Sequence, residues 1–199
     1  MNSEIERKIA VIFATDVVGY SKHIETDENA TIKNLRACES LLKDLFEKYK
    51  ARLFNTGGDS FFGEFGSAVS AVECAVEFQN AIKRRNKTAD ATVKLEFRIG
   101  INVGDVIKEK GNLLGDGVNI AARLESIAQA SGISISKGIF EYVSSKTKLS
   151  FADQGIQKVK SNQFHVYDVI LDPKQKRKLG SQSRLKKQSR FVLAVLILI

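Results

Sequence analysis

Two carboxylates stand where they could hold a cation. Asp16 closes the apolar run Val11-Ile12-Phe13-Ala14-Thr15, and Asp59 follows the turn Thr56-Gly57-Gly58. A strand that stops abruptly on an acid presents it at the strand's carboxyl end. The residues that follow, Val17, Val18, Gly19, Tyr20 and Ser21, include a glycine and can turn their amides outward. Around Asp59 the pattern is strand, tight turn, strand: the paired glycines supply the positive-φ positions of a hairpin, and Phe61, Phe62 and Phe65 continue as a buried strand. If the two strands are neighbours, the acids meet. Two hard oxygen ligands beside exposed amides suit a magnesium-triphosphate, because Mg²⁺ takes one or two protein carboxylates and completes its octahedron with phosphate oxygens. Taken singly, either Asp reads more readily as a turn former or a helix N-cap.

A third stretch shifts that balance. Leu114-Gly115-Asp116-Gly117-Val118-Asn119-Ile120-Ala121-Ala122-Arg123-Leu124-Glu125 reads as a glycine turn opening a helix. Asn119 and Arg123 are four apart and so share one face. Projecting in parallel, an amide and a guanidinium can bind a sugar oxygen and a phosphate; as structure alone they are an ordinary solvated stripe.

FATDVVGYS, TGGDSFFGEF, FRIGINVGDV and GDGVNIAARLE, in this order, together resemble the catalytic domain of the class III nucleotidyl cyclases, the adenylate and guanylate cyclase family, over about Ile9 to Val169. GGDSF is close to the GGDEF signature of diguanylate cyclases, but that family lacks an AARLE helix after a glycine turn. The resemblance implies attack of a ribose 3′-hydroxyl on the α-phosphate of ATP, giving 3′,5′-cyclic AMP and pyrophosphate. It implies two Mg²⁺ or Mn²⁺ ions per site, held by Asp16, Asp59 and the Val17 carbonyl, with the amides of Val18, Gly19, Tyr20 and Ser21 around phosphate. Asn119 would orient the ribose and Arg123 would stabilise charge at the α-phosphate. Lys160 matches a phosphate-binding lysine, although Lys158 and Lys160 read equally as exposed strand residues. The resemblance also implies a homodimer whose two sites are shared between protomers.

At the purine-selecting positions the sequence departs from the family. Asn55 stands where adenylate cyclases commonly carry Lys, and Asn112 where they carry Asp; guanylate cyclases usually have Glu and Cys there. An Asn amide both donates and accepts, so it could address either purine; ATP is favoured because both positions can retain hydrogen bonding to adenine, and GTP is the alternative. A catalytically silent nucleotide-binding or dimerisation module is the reading from a different class. An RNA-binding ferredoxin-like domain would want basic strands with exposed aromatics, and FFGEF is acidic.

The elements that must position these residues alternate between strand and helix. They predict a ferredoxin-like β-α-β-β-α-β sandwich of the α/β (α+β) class with additional strands and helices, in which the first strand lies beside the hairpin. The periodicity predicts strand over Lys8–Phe13 and a helix over Asp27–Tyr49 capped by Thr26. The hairpin follows, then a helix over Ala68–Arg85 opened by Ser67 and an exposed polar loop over Arg84–Thr92. A strand pair, Leu95–Ile101 and Asp105–Lys108, turns around Gly104. Further along come a helix over Gly117–Ala130, a strand over Gly132–Ser136, a short helix over Ile139–Ser144 and a final antiparallel pair ending in His165–Leu171.

With 199 residues, 43% of them apolar, the chain can bury a real core as one catalytic domain over 1–173. Cys38 and Cys74 read as small core fillers in a reduced, cytoplasmic compartment, and His23 and His165 give no zinc spacing. The net charge of +8 sits in the eight basic residues between Lys174 and Arg190, so residues 1–173 are formally neutral and a nucleic-acid partner is not expected. Residues 174–190 read as a basic juxtamembrane linker. The nine apolar residues Phe191–Ile199 read as the start of a transmembrane helix anchoring the domain to the inner face of a membrane, since a full span needs about 20.

Overall fold

A computed structural model describes residues 6–88, 93–159 and 162–172. One mixed sheet runs through it in the order β2 (Arg52–Gly57), β3 (Ser60–Phe65), β1 (Glu6–Val17), β4 (Phe97–Glu109), β6 (Ile133–Ser136), β8 (Asn162–Ile170), β7 (Ser150–Val159), with β5 (Asn112–Leu114) paired to β4. All neighbours are antiparallel except β4 and β6. This is the expected mixed α+β architecture, and β1 lies beside the hairpin strand β3 as the topology requires.

Alternation along β1 assigns the two faces of the sheet. Val11, Phe13 and Val17 point into a large apolar cluster covered by α2 (Glu28–Lys48), α3 (Ala68–Thr88) and α5 (Lys137–Val143). There Phe13, Phe46 and Phe65 meet, with Phe46 edge-on to both partners at centroid distances of 5.3 Å. Ala10, Ile12 and Ala14 point the other way, into a smaller cluster closed by Ala121 of α4 (Asp116–Ile127). Asp16 continues that second row, so it lies on the α4 side.

Several boundaries differ from those expected, each for a local reason. A separate helix α1 (Tyr20–Thr26) precedes α2. Thr26 is its last residue and donates its hydroxyl back to the Lys22 carbonyl, while Asp27, extended at φ −158°, caps α2 by accepting from the Ala30 amide at 2.9 Å. β4 is one continuous strand through Gly104, which is no turn: Gly104 is a close approach, where an added Cβ would lie 3.1 Å from Gly117 Cα of α4. The actual reversal is at Lys110-Gly111, both at positive φ. α3 runs on to Thr88, taking in residues 84–88 of the stretch read as a loop. Its polar residues are the solvated last turns of a helix, and Asn86 donates to the Leu95 carbonyl at 2.8 Å.

Cys38 and Cys74 are buried and unbridged, as core fillers should be. Lys160 and the whole of 173–199, which includes the basic stretch and the apolar run, lie outside the described residues. Among the described residues no helix is long and apolar enough to cross a membrane.

Candidate active site

The helix carrying Asn119 and Arg123 is pressed onto the sheet at two points. Asn102 of β4, buried, donates to the Gly117 carbonyl at 3.1 Å. Further along, α4 crosses β4 backbone to backbone at Gly100, where a Cβ would stand 2.2 Å from both the Ala121 carbonyl oxygen and the Glu125 amide nitrogen. Only glycine permits that approach. The inner face of α4 is therefore Gly117, Ala121, Leu124 and Glu125, all buried. Glu125 arrives over the end of β1.

The two aspartates do converge. Thr15 pairs with Phe61, so the next step along β1 brings Asp16 beside Ser60 and the turn. Gly58, at φ 64°, makes that turn tight. Asp59 accepts a hydrogen bond from the Val17 amide and senses the charge of Asp16. Burial raises the pKa of its carboxyl, and the Asp16 charge adds to this, outweighing backbone hydrogen bonds from its own amide and Val17 and the pull of Arg98. Asp59 is therefore an acid whose ionised form a nearby cation would stabilise.

Two residues not foreseen from the sequence complete this cluster. Arg98, directly across the ladder from Asp16, forks onto it, Nε to Oδ1 at 3.1 Å and Nη2 to Oδ2 at 2.6 Å. The Asp16 hydrogen bonds, with the charges of Asp16 and Asp59, keep the guanidinium firmly protonated against the cost of burial. Glu125 lies on the other side. Burial, then the hydrogen bond it gives Asp16 and the charge of Asp16, push its carboxyl far above the ordinary range, with Arg98 pulling the other way. Glu125 thus carries its proton and donates it to Asp16. Glu125 Oε1 is 3.1 Å from Arg98 Nε, yet accepts no hydrogen bond, because that N–H is aimed at Asp16. A signal for each was present: Arg98 shares the alternate row of β4 with Gly100 and Asn102, and Glu125 is four residues beyond Ala121 on the inner stripe of α4.

Of the amides expected to face phosphate, that of Val18 is already engaged, donating to the Glu96 carbonyl at 2.9 Å. This narrows the expected set to Gly19, Tyr20 and Ser21, at the turn where Gly19 takes φ 66° and opens α1. Among the described residues there is no group of three or more His, Cys, Asp or Glu side chains that could hold a metal ion.

Asn119 and Arg123 are not part of this cluster. Arg123 precedes Glu125 by two positions, about 200° around the helix, and Asn119 lies one turn before Arg123. Asn119 is exposed and Arg123 half-buried. Among the described residues neither side chain makes a hydrogen bond or ion pair with Asp16 or Asp59. Asn55 and Asn112 occupy a third place, the rim where β2 meets β5 and Arg52 of β2 donates to the Gly111 carbonyl. Asn55 is exposed beside a bulge in β2, and Asn112 accepts from the Leu113 amide at 2.9 Å.

A family model described as the adenylate and guanylate cyclase catalytic domain matches residues 1–171. The chain is 41% identical over 171 residues to "Putative adenylate cyclase 3" of Rhizobium meliloti (strain 1021), covering 85% of this chain and 29% of that protein. To an adenylate cyclase of Streptomyces coelicolor it is 30% identical over 138 residues, covering 69% and 34%. The chain thus spans about a third or less of the length of these relatives. Among solved structures, an adenylate/guanylate cyclase/hydrolase from Silicibacter pomeroyi superposes with a TM-score of 0.78 at 31% identity, covering 85% of this chain and all of that one. The adenylyl cyclase CyaB from P. aeruginosa gives 0.75 at 26% identity, covering 89% and 100%.

Proposed function

Because the chain belongs to the adenylate and guanylate cyclase catalytic domain family, we propose that it converts ATP to 3′,5′-cyclic AMP and pyrophosphate at a site shared between two copies of itself. The observation that carries this reading is the divergence of two half-sites within one chain. Asp16 and Asp59 face the end of β1, whereas Asn119 and Arg123 face outward from α4. A second copy related by a two-fold axis would present its outward half to the first copy's carboxylates and receive the same in return, giving two equal sites.

Asp16 and Asp59 are adjacent hard-oxygen donors beside the Val17 backbone, a set that fits Mg²⁺ or Mn²⁺. Two such ions, when bound, would lower the pKa of the ribose 3′-hydroxyl and offset the triphosphate charge. The amides of Gly19, Tyr20 and Ser21 would hold phosphate oxygens with Lys160, and Asn119 would orient the ribose so that its 3′-oxygen lies in line with the leaving pyrophosphate. Arg123 would meet the charge that develops at the α-phosphate. Asn55 and Asn112 would address the purine edge, accepting from the adenine amino group and donating to a ring nitrogen.

The deciding measurement is incubation of the purified chain with ATP or GTP and Mg²⁺ or Mn²⁺, with products separated by chromatography. Cyclic AMP from ATP is expected. Cyclic GMP alone would reassign the substrate, and no cyclic product from either nucleotide would leave a nucleotide-binding or dimerisation module.

A further inference from the structure

Asp16 is not a free ligand. Arg98 grips both of its oxygens, and the Arg98 backbone cannot retreat, because the buried Thr15 hydroxyl donates to its carbonyl at 2.7 Å. The guanidinium nevertheless has somewhere else to go. Its Nε is 3.1 Å from Glu125 Oε1, a buried oxygen that accepts no hydrogen bond, and its Nη1 already donates to the Ser126 carbonyl at 3.3 Å. A small rotation about the end of the side chain, pivoting on that bond, would trade the Asp16 oxygens for Glu125 Oε1, with no change in strand or helix.

We propose that Arg98 competes with the divalent cation for Asp16, and that loading the site moves the guanidinium from Asp16 onto Glu125 Oε1 while it keeps its hydrogen bond to the Ser126 carbonyl. This rests on the cyclase reading, and it makes Arg98 a positioning residue that sets cation affinity. The physical reason is charge. A guanidinium in contact with Asp16 stands a few ångströms from any dication bound there, and like charges at that separation repel strongly in a half-buried setting. The forked, charge-assisted pair must also be given up. Glu125 supplies the compensating acceptor. Without it the displaced guanidinium would be left half-buried with the Ser126 carbonyl as its one acceptor there, which is costly.

The test is binding of Mn²⁺ alone, without nucleotide, to the full chain, followed by water-proton relaxation. Arg98→Met removes the competitor and is expected to tighten Mn²⁺ binding about tenfold. Glu125→Leu removes the alternative seat and is expected to weaken binding by roughly threefold to tenfold. Glu125→Gln keeps an acceptor oxygen and should bind as the parent does. In the Arg98→Met background Glu125→Leu should no longer weaken binding, since it then only frees Asp16 of a hydrogen bond, whereas a Glu125 that bound the cation directly would still show its loss. A folded Arg98→Met chain with unchanged or weaker Mn²⁺ affinity would overturn the proposal. Should that variant not fold, Arg98→Lys decides: one ammonium cannot fork both oxygens, so a gain of about twofold to threefold is expected, and no gain overturns the proposal equally. Asp16→Asn separates this inference from its premise. If Asp16→Asn binds Mn²⁺ as the parent does, the metal assignment fails; if it loses binding while Arg98→Met gains none, only the role of Arg98 fails.

Discussion

The carboxylate half and the nucleotide half of the proposed site are built on opposite principles. Asp16, Asp59, Arg98 and Glu125 come from a strand end, a hairpin turn, a facing strand and the inner side of a helix, and the fold sets their positions through mutual hydrogen bonds and ion pairs. Asn119 and Arg123 come from the outer side of that same helix and meet neither acid within the chain. The first half is finished when one chain folds. The second has fixed anchors but open ends, as expected of groups whose partners arrive with another surface and a substrate. On the proposed reading, the fold prepares charge-dense chemistry in advance and leaves activity conditional on association.

The hardest blow to this contrast is Asp16→Ala, which removes a proposed metal ligand from the finished half. Turnover should fall by about 10³-fold or more, measured as cyclic nucleotide formed per chain, with secondary structure by circular dichroism retained. A variant that kept its rate would mean that the carboxylates are structural. The nucleotide half is broken by Arg123→Ala, expected to lower kcat about 10²-fold with little change in KM; a rise in KM alone would make Arg123 a ground-state contact. Mixing the two inactive chains sharpens the point. A mixed dimer has one intact site and one doubly damaged site, so an equal mixture at random exchange should recover about a quarter of the parent activity. No recovery after verified exchange would put both halves of a site on one chain.

The finished half was the more legible in the sequence, though incompletely. Asp16 and Asp59 announced themselves because an apolar run stopping on an acid and a Gly-Gly-Asp turn are local signals, and the ferredoxin-like topology then lays the first strand beside the hairpin. Arg98 and Glu125 are equally central but went unread. A charged residue in a strand or helix looks solvated until the element packed over it is known, and that knowledge is tertiary. The signal for Gly104 misled for the same reason: glycine serves turns and close approaches alike, and only the position of α4 distinguishes them. Thr26 and Asp27 are adjacent cap-forming residues, and the choice between them depended on α1, a helix of 7 residues too short to show periodicity. Asn119 and Arg123 were legible as a pair on one face, but their sequence does not say which chain they serve.

An intermediate effect is expected where α4 meets the sheet. Gly100→Ala forces a methyl group into α4 backbone that would lie at 2.2 Å. No side chain can swing aside, so the helix must lift, costing about 3 kcal/mol or more in thermal or denaturant unfolding. Because Glu125 and Arg123 ride on opposite sides of α4, both halves should suffer together. A variant of unchanged stability would mean that α4 is not held against β4 as described.

The smallest effect is expected at Glu64, away from both halves on β3. Burial opposes its ionisation, but hydrogen bonds from Lys8 and Arg52, reinforced by their charges, outweigh it and hold the carboxyl below its ordinary 4.5. The unfolded chain therefore binds this proton more readily than the folded one. The stabilisation is complete well above pH 4.5 and is lost as pH falls through the lower folded value. Glu64→Gln should remove that part of the acid sensitivity, flattening stability against pH below about 4.5 by roughly 1 kcal/mol or less. Arg52 also donates to the Gly111 carbonyl, so losing its partner could loosen the rim that carries Asn55 and Asn112 while leaving the carboxylate cluster untouched. A change in the preference for ATP over GTP, with the Mn²⁺ affinity of the Asp16 site unaltered, would show that the two regions can be perturbed separately; a shift in both would mean that the sheet couples them.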